Sequence, residues 1–191
     1  MQRLTLMAAL AMLTATSVAA ETWTLDTDLS KISFGSIKEN YVGESHGFPE
    51  VSGTVNDAGQ VALDIALASV VTNIDIRNER MREMVFNNTP SAKVTAEIDK
   101  ATLDSLAVGD ATTTETTGTL ALLGEELELD ANFFVMRLSD DRVLVTTDDM
   151  VMLSTEDIGI DSGIDQLQEV AGLESITRVS PVTMRLIFNK D

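Results

Sequence analysis

The stretch Val61-Ala62-Leu63-Asp64-Ile65-Ala66-Leu67-Ala68 decides the fold class. Bulky apolar side chains fall at 61, 63, 65 and 67, with small or charged ones between them. A period of two sends alternate side chains to opposite faces of a strand, so one face lies in a core and the other is wet. The same rhythm continues in both directions. Ile32 and Phe34 alternate with Ser33 and Gly35, and Leu127, Leu129, Ala131, Phe133 and Val135 with Glu126, Glu128, Asp130 and Asn132. Val182, Met184, Leu186 and Phe188 close the chain opposite Thr183, Arg185 and Ile187. Turn signals separate these runs: Asn56-Asp57-Ala58-Gly59, Gly109-Asp110, Gly124-Glu125 and Ser139-Asp140-Asp141. Successive strands without long helices between them predict an all-β antiparallel meander that closes into a barrel or sandwich.

Two segments leave the strand rhythm. Residues 75–84 place Ile76, Arg80, Met81 and Met84 at helical spacing, and residues 161–175 do the same with Ile164, Leu167, Val170, Ala171 and Leu173. Both are expected as short helices or lids in loops, the second weakened at its end by Gly172. The Thr-rich run 112–117 is β-branched and reads as an exposed strand rather than a linker. No linker, repeat or domain boundary interrupts residues 21–191, which are expected to form one domain.

The first 20 residues have another character. Arg3 precedes an apolar run from Leu4 to Leu13, and Val18-Ala19-Ala20 offers the small residues of a peptidase site. This predicts a signal peptide cut before Glu21 and export to the periplasm. The run is too short to span a bilayer, which takes about 20 residues. No Cys follows it, so a lipid anchor on cysteine is not expected.

With 31 acids against 13 Lys and Arg, the chain carries a formal charge of −18. That field repels phosphate backbones, which argues against nucleic-acid binding. The absence of Cys means that no disulfide contributes and burial must hold the domain together.

The chemistry is bounded mainly by missing groups. Gly43-Glu44-Ser45-His46-Gly47 has the form G-x-S-x-G, but His46 is the chain's single His and sits beside the supposed nucleophile. A hydrolase elbow needs its base from elsewhere in the chain. One His and no Cys cannot build the usual zinc or copper shells, and the acid pairs lack the spacing of a Ca²⁺ loop. No catalytic residue, metal or cofactor is therefore expected.

The informative cluster is Arg77, Arg80 and Arg82, three cations within six positions of an acidic chain. Guanidinium groups can clamp an anionic head group, although pairing with Glu79, Glu83 and other surface acids is the simpler use of them. Beside them lie Ile74, Ile76, Met81, Met84 and Phe86, an apolar excess for a surface loop. Met adapts to irregular apolar ligands, and Met150 and Met152 recur in a later strand. Phe34 and Phe133 on the strand faces complete the expected binding set. An eight-stranded barrel is wide enough to hold one small apolar ligand.

These residues resemble the YceI family of exported, lipocalin-like proteins. Trp23-Thr24-Leu25-Asp26 is similar to its opening W-x-L-D, and Gly47-Phe48 through Gly53 to its G-x-F turn region. Ser69 to Thr72, followed by Arg77-Asn78-Glu79-Arg80-Met81-Arg82, resembles its Ser-x-x-Thr strand end and R-D-x-H-L-R signature. Gly118-Thr119-Leu120 with Gly124, and Asp157-Ile158-Gly159-Ile160, resemble its G-x-L-x-x-x-G hairpin and D-F-G-I. The resemblance implies an eight-stranded antiparallel lipocalin-like barrel with one or two helical inserts, enclosing a tunnel for a long isoprenoid chain or similar lipid. Asn78, Arg80 and Met81 depart from the family's Asp, His and Leu, residues 153–156 lack its Arg, and the 161–175 helix replaces a short approach.

The expected protein is thus a periplasmic carrier of a polyisoprenoid, quinone-like or related amphiphile, with transient membrane contact and a homodimer both compatible with the sequence. The competing expectation is a stress-response or redox-partner module with a filled barrel and no lipid.

Overall fold

The computed structural model describes residues 22–191, so the expected signal peptide lies outside the described residues. Eleven strand segments occur in the order β1 (Trp23–Leu25), β2 (Lys31–Lys38), β3 (Val42–Phe48), β4 (Val51–Val55), β5 (Gln60–Ala66), β6 (Ser91–Glu97), β7 (Ala111–Leu122), β8 (Glu125–Ser139), β9 (Arg142–Thr147), β10 (Val151–Ser154) and β11 (Val179–Lys190).

Their pairing resolves into eight staves. β1 and β2 both pair with β11, β4 pairs with β1, and β3 pairs with β2. β1 with β2, and β3 with β4, therefore each make up one stave interrupted along its length. β9 and β10 likewise pair with successive parts of β11. Every neighbouring pair is antiparallel, and the last stave closes on the first. The result is a closed eight-stranded up-and-down barrel, which has no free sheet edge around most of its circumference. The seam is incomplete in one place. β8 pairs with β9 only from Phe133 onward, and β10 pairs with β11 alone.

Alternation decides which side chains enter the barrel, and the register makes the staves agree. Ile32 lies opposite Met184 and Phe48, while Val182 lies opposite Phe34 and Val151. Directly paired residues share a face, so the apolar sets of neighbouring staves meet inside. The expected exposed strand at 112–117 is the first half of β7.

The two ends of the barrel differ. One carries the β2–β3 and β7–β8 turns together with the long β5–β6 and β10–β11 connections. The other carries the chain start, the β4–β5 and β8–β9 turns and α2 (Lys100–Asp104), a helix the sequence pattern does not reveal. At this second end Trp23, Leu25, Val55, Val143, Leu186 and Phe188 are all buried. Arg137 closes it, with its guanidinium 5.6 Å from the centre of the Trp23 ring and a hydrogen bond of 2.8 Å donated to the Leu103 carbonyl.

At the first end, α1 (Asp75–Arg80) runs into a single π turn, Met81–Val85, where the Phe86 N–H donates to the Met81 carbonyl at 2.9 Å. The predicted helix at 75–84 is therefore real but changes pitch at Met81. The second predicted helix is α3 (Asp161–Ala171), which ends earlier than its apolar pattern because Gly172 takes a left-handed φ of 65°. Its Gly163 lies against the π turn so closely that a Cβ there would stand 2.5 Å from the Met84 carbonyl oxygen. Only glycine lets these two backbones touch, and the contact joins both inserts into one cap.

Candidate functional site

Beneath this cap the barrel is hollow. A cavity of about 450 Å³ lies among β2, β3, β6, β7, β8, β10, β11, α1 and α3, within the usual range of roughly 300–1,000 Å³ for small-molecule sites. Its walls are overwhelmingly apolar, and four of the inward positions are small: Ala92, Ala96, Gly118 and Ala131. Small residues at inward positions leave the space that Leu or Phe would fill. The α3 face bearing Ile164, Leu167 and Ala171 closes one side.

Polarity is graded along two adjacent strands. From the capped end inward, β2 presents Lys38, Ser36, Phe34 and Ile32, while β3 presents Glu44, His46 and Phe48. Charges therefore stand at the rim, hydrogen-bonding groups below them, and aromatic rings deeper. Phe34 and Phe48 stack with centroids 5.3 Å apart, and Phe48 meets Phe86 at 5.8 Å.

The rim charges are organised by α1. Arg77 places one amino group 2.6 Å from Glu44 Oε2 and donates the other to the Thr72 carbonyl at 2.5 Å. Lys38 approaches the second Glu44 oxygen at 3.3 Å. Burial pushes the Glu44 carboxyl up, but Arg77 and Lys38 outweigh it and hold the group below the usual carboxylate range. Asn78 Oδ1 accepts from the Thr72 N–H at 2.7 Å and the Thr72 hydroxyl at 2.6 Å. An amide oxygen is enough for both bonds, so Asn fills the place of the Asp in the signature without loss of the turn.

His46 is buried, with Nε2 2.9 Å from Ser36 Oγ and its ring 5.1 Å from Phe34. Burial and then the nearby Arg77 lower its pKa, so the imidazole is held neutral at pH 7. Ser45 is exposed and points to the other face of β3. The G-x-S-x-G match therefore sits in mid-strand with its Ser and His on opposite sides. No group of three or more His, Asp or Glu is placed to hold a metal among the described residues.

Of the residues expected to bind ligand, Phe34, Ile74, Ile76, Arg77, Arg80, Met81, Phe86 and Phe133 line the cavity. Four do not. Met150 and Met152 are 63% and 58% exposed. Strand parity is the reason, because Val151 and Leu153 take the inward positions and turn the methionines outward. Arg82 and Met84 lie in the π turn and do not line the cavity, and Met84 sits beside the β7–β8 turn.

The polar wall of Ser36, Lys38, Glu44 and His46 was not anticipated as part of the site. The signal was present, since all four share strand parity with Phe34 or Phe48, but choosing the inward parity of β3 required the pairing. The lining of α3 depends on a packing that sequence period alone does not give.

A YceI-like domain model matches residues 23–173. Among solved structures, the chain is similar to a polyisoprenoid-binding domain from Saccharophagus degradans implicated in plant cell wall breakdown. The two are 34% identical, with a TM-score of 0.86 over 88% of this chain and 98% of that one. BcnA of Burkholderia cenocepacia, at 13% identity and a TM-score of 0.61 over 85% of this chain and 98% of its own, shares the fold. No curated protein matches. By the family model and the close structural likeness together, this chain belongs to the YceI-like domain family.

Proposed function

We propose that this protein is an exported, periplasmic binding protein that shelters the apolar chain of a polyisoprenoid, quinone-like or related amphiphile inside the barrel, and that it carries rather than transforms its ligand. The observation that carries this reading is the hollow half of the barrel, apolar in its depth and charged at its rim. An amphiphile would lie with its tail toward Phe34, Phe133 and Met184 and its head toward α1. Each buried CH₂ contributes about 0.8 kcal/mol, so a long hydrocarbon chain offers ample driving force. The likeness to a polyisoprenoid-binding domain supports the same ligand class. The alternative of a filled barrel without ligand finds no support at this end, where the small inward residues leave the centre open.

Native mass spectrometry of the purified protein, with solvent extraction of its lipids, tests the proposal. The expected result is a bound amphiphile, or a rise in melting temperature when a polyprenol is added. A protein that carries no lipid and whose melting temperature ignores added polyprenols would overturn it.

A further inference from the structure

The ionisable groups lining the cavity are Lys38, Glu44, His46, Arg77 and Arg80. In a chain with 31 acids and 13 Lys and Arg, this rim holds three cations and a single carboxylate. The molecule's charge balance is thus inverted at the place where a ligand head would rest.

The three cations are not equivalent. Arg77 and Lys38 converge on Glu44, and Arg77 also holds the Thr72 carbonyl, so these groups are engaged in fixing the rim. Arg80 is half-buried, lines the cavity, and makes no side-chain hydrogen bond or ion pair among the described residues. Glu79 and Glu83 flank it in sequence, yet neither reaches it. A guanidinium partly withdrawn from water beside an apolar wall gains free energy from any acceptor that arrives. Its planar fork matches the paired oxygens of a phosphate or carboxylate.

Resting on the binding function proposed above, we infer that the site selects amphiphiles with an oxyanionic head, phosphate or carboxylate, and that Arg80 is the residue that reads this charge. Arg77 holds the rim in shape, and Arg82 does not line the cavity.

The test compares a polyprenyl phosphate with the polyprenol of equal chain length, and with inorganic phosphate alone, by competition in native mass spectrometry. The native protein is expected to prefer the phosphate by about ten-fold or more, the scale of one hydrogen bond to a charged group. The preference should shrink as ionic strength rises. Arg80→Gln should remove the preference, so that the two lipids compete equally, and Arg80→Lys should keep part of it. Melting curves of both variants establish that they fold.

Equal binding of the two lipids by the native protein would overturn the inference and leave the binding function standing. So would an Arg80→Gln variant that keeps the preference, or inorganic phosphate that protects the protein as strongly as the lipid. Failure of both lipids to bind removes the binding function and this inference with it.

Discussion

At the closed end of the barrel, Trp23, Leu25, Val143 and Phe188 meet beneath Arg137 and the α2 segment, and the interior is filled. At the capped end β6, β7 and β8 present Ala92, Ala96, Gly118 and Ala131 inward, and the interior is hollow. β8 shows the change within one strand: Leu129, Ala131 and Phe133 line the cavity, whereas Val135 and Arg137 belong to the plug. Alternation of polar and apolar residues is the same in both halves. What separates them is side-chain volume at the inward positions, because a close-packed interior is lost wherever facing residues are too small to meet. The two ends also differ in what closes them. The plug is a packed core, while the cap is two helical inserts joined at Gly163.

The largest expected effect falls on the plug. Phe188→Ala removes a buried aromatic ring from a filled region and should cost about 3–5 kcal/mol, read as a lower denaturation midpoint. Phe133→Ala, on the wall of an existing cavity, should cost less than half as much, since part of its ring already lacks neighbours. Equal costs at the two sites would break the distinction between a filled and a hollow end.

Next is the joint of the cap. Gly163→Ala places a Cβ against the backbone of Met84 and Val85, and overpacking of this kind costs roughly 1–3 kcal/mol. Faster hydrogen exchange should be confined to α1, the π turn and α3, with the plug strands unchanged. Exchange that rises equally at both ends would show that the cap is not a separate unit.

The smallest effect is a pH dependence at the rim. Because the fold lowers the His46 pKa, the unfolded chain binds the proton more readily. Stability is therefore fully present above about 6.5, the ordinary imidazole value, and declines as the pH falls toward the lower folded value. Glu44, also lowered, adds a second decline below 4.5. His46→Gln should abolish the first decline and keep the second, as measured by urea denaturation across pH. A native protein with flat stability between pH 7 and 5 would contradict the buried, neutral imidazole.

Much of this architecture was legible in the residues. The period of two in β5 and β8 gave the strands, and both helical inserts were visible as breaks in that period. α2 was not, because five residues with no apolar stripe carry little helical signal. In the site, the apolar and basic residues of α1 were readable as a cluster. Met150 and Met152 misled because chemistry suggested a ligand while parity sent them outward, and parity is set by the register with β11 rather than by the strand itself. His46 and Glu44 were hidden for the same reason: their neighbours in sequence point away, and only the pairing of β3 with β2 brings them to the cavity.

The central claim, that an apolar chain occupies the hollow half, is tested most directly by filling that half. Ala131→Trp directs an indole into the cavity, while Met152→Trp adds the same group to the outer face. Both variants should fold, and polyprenol should raise the melting temperature of the native protein and of Met152→Trp but not of Ala131→Trp. A folded Ala131→Trp variant that binds polyprenol as tightly as the native protein would contradict the account.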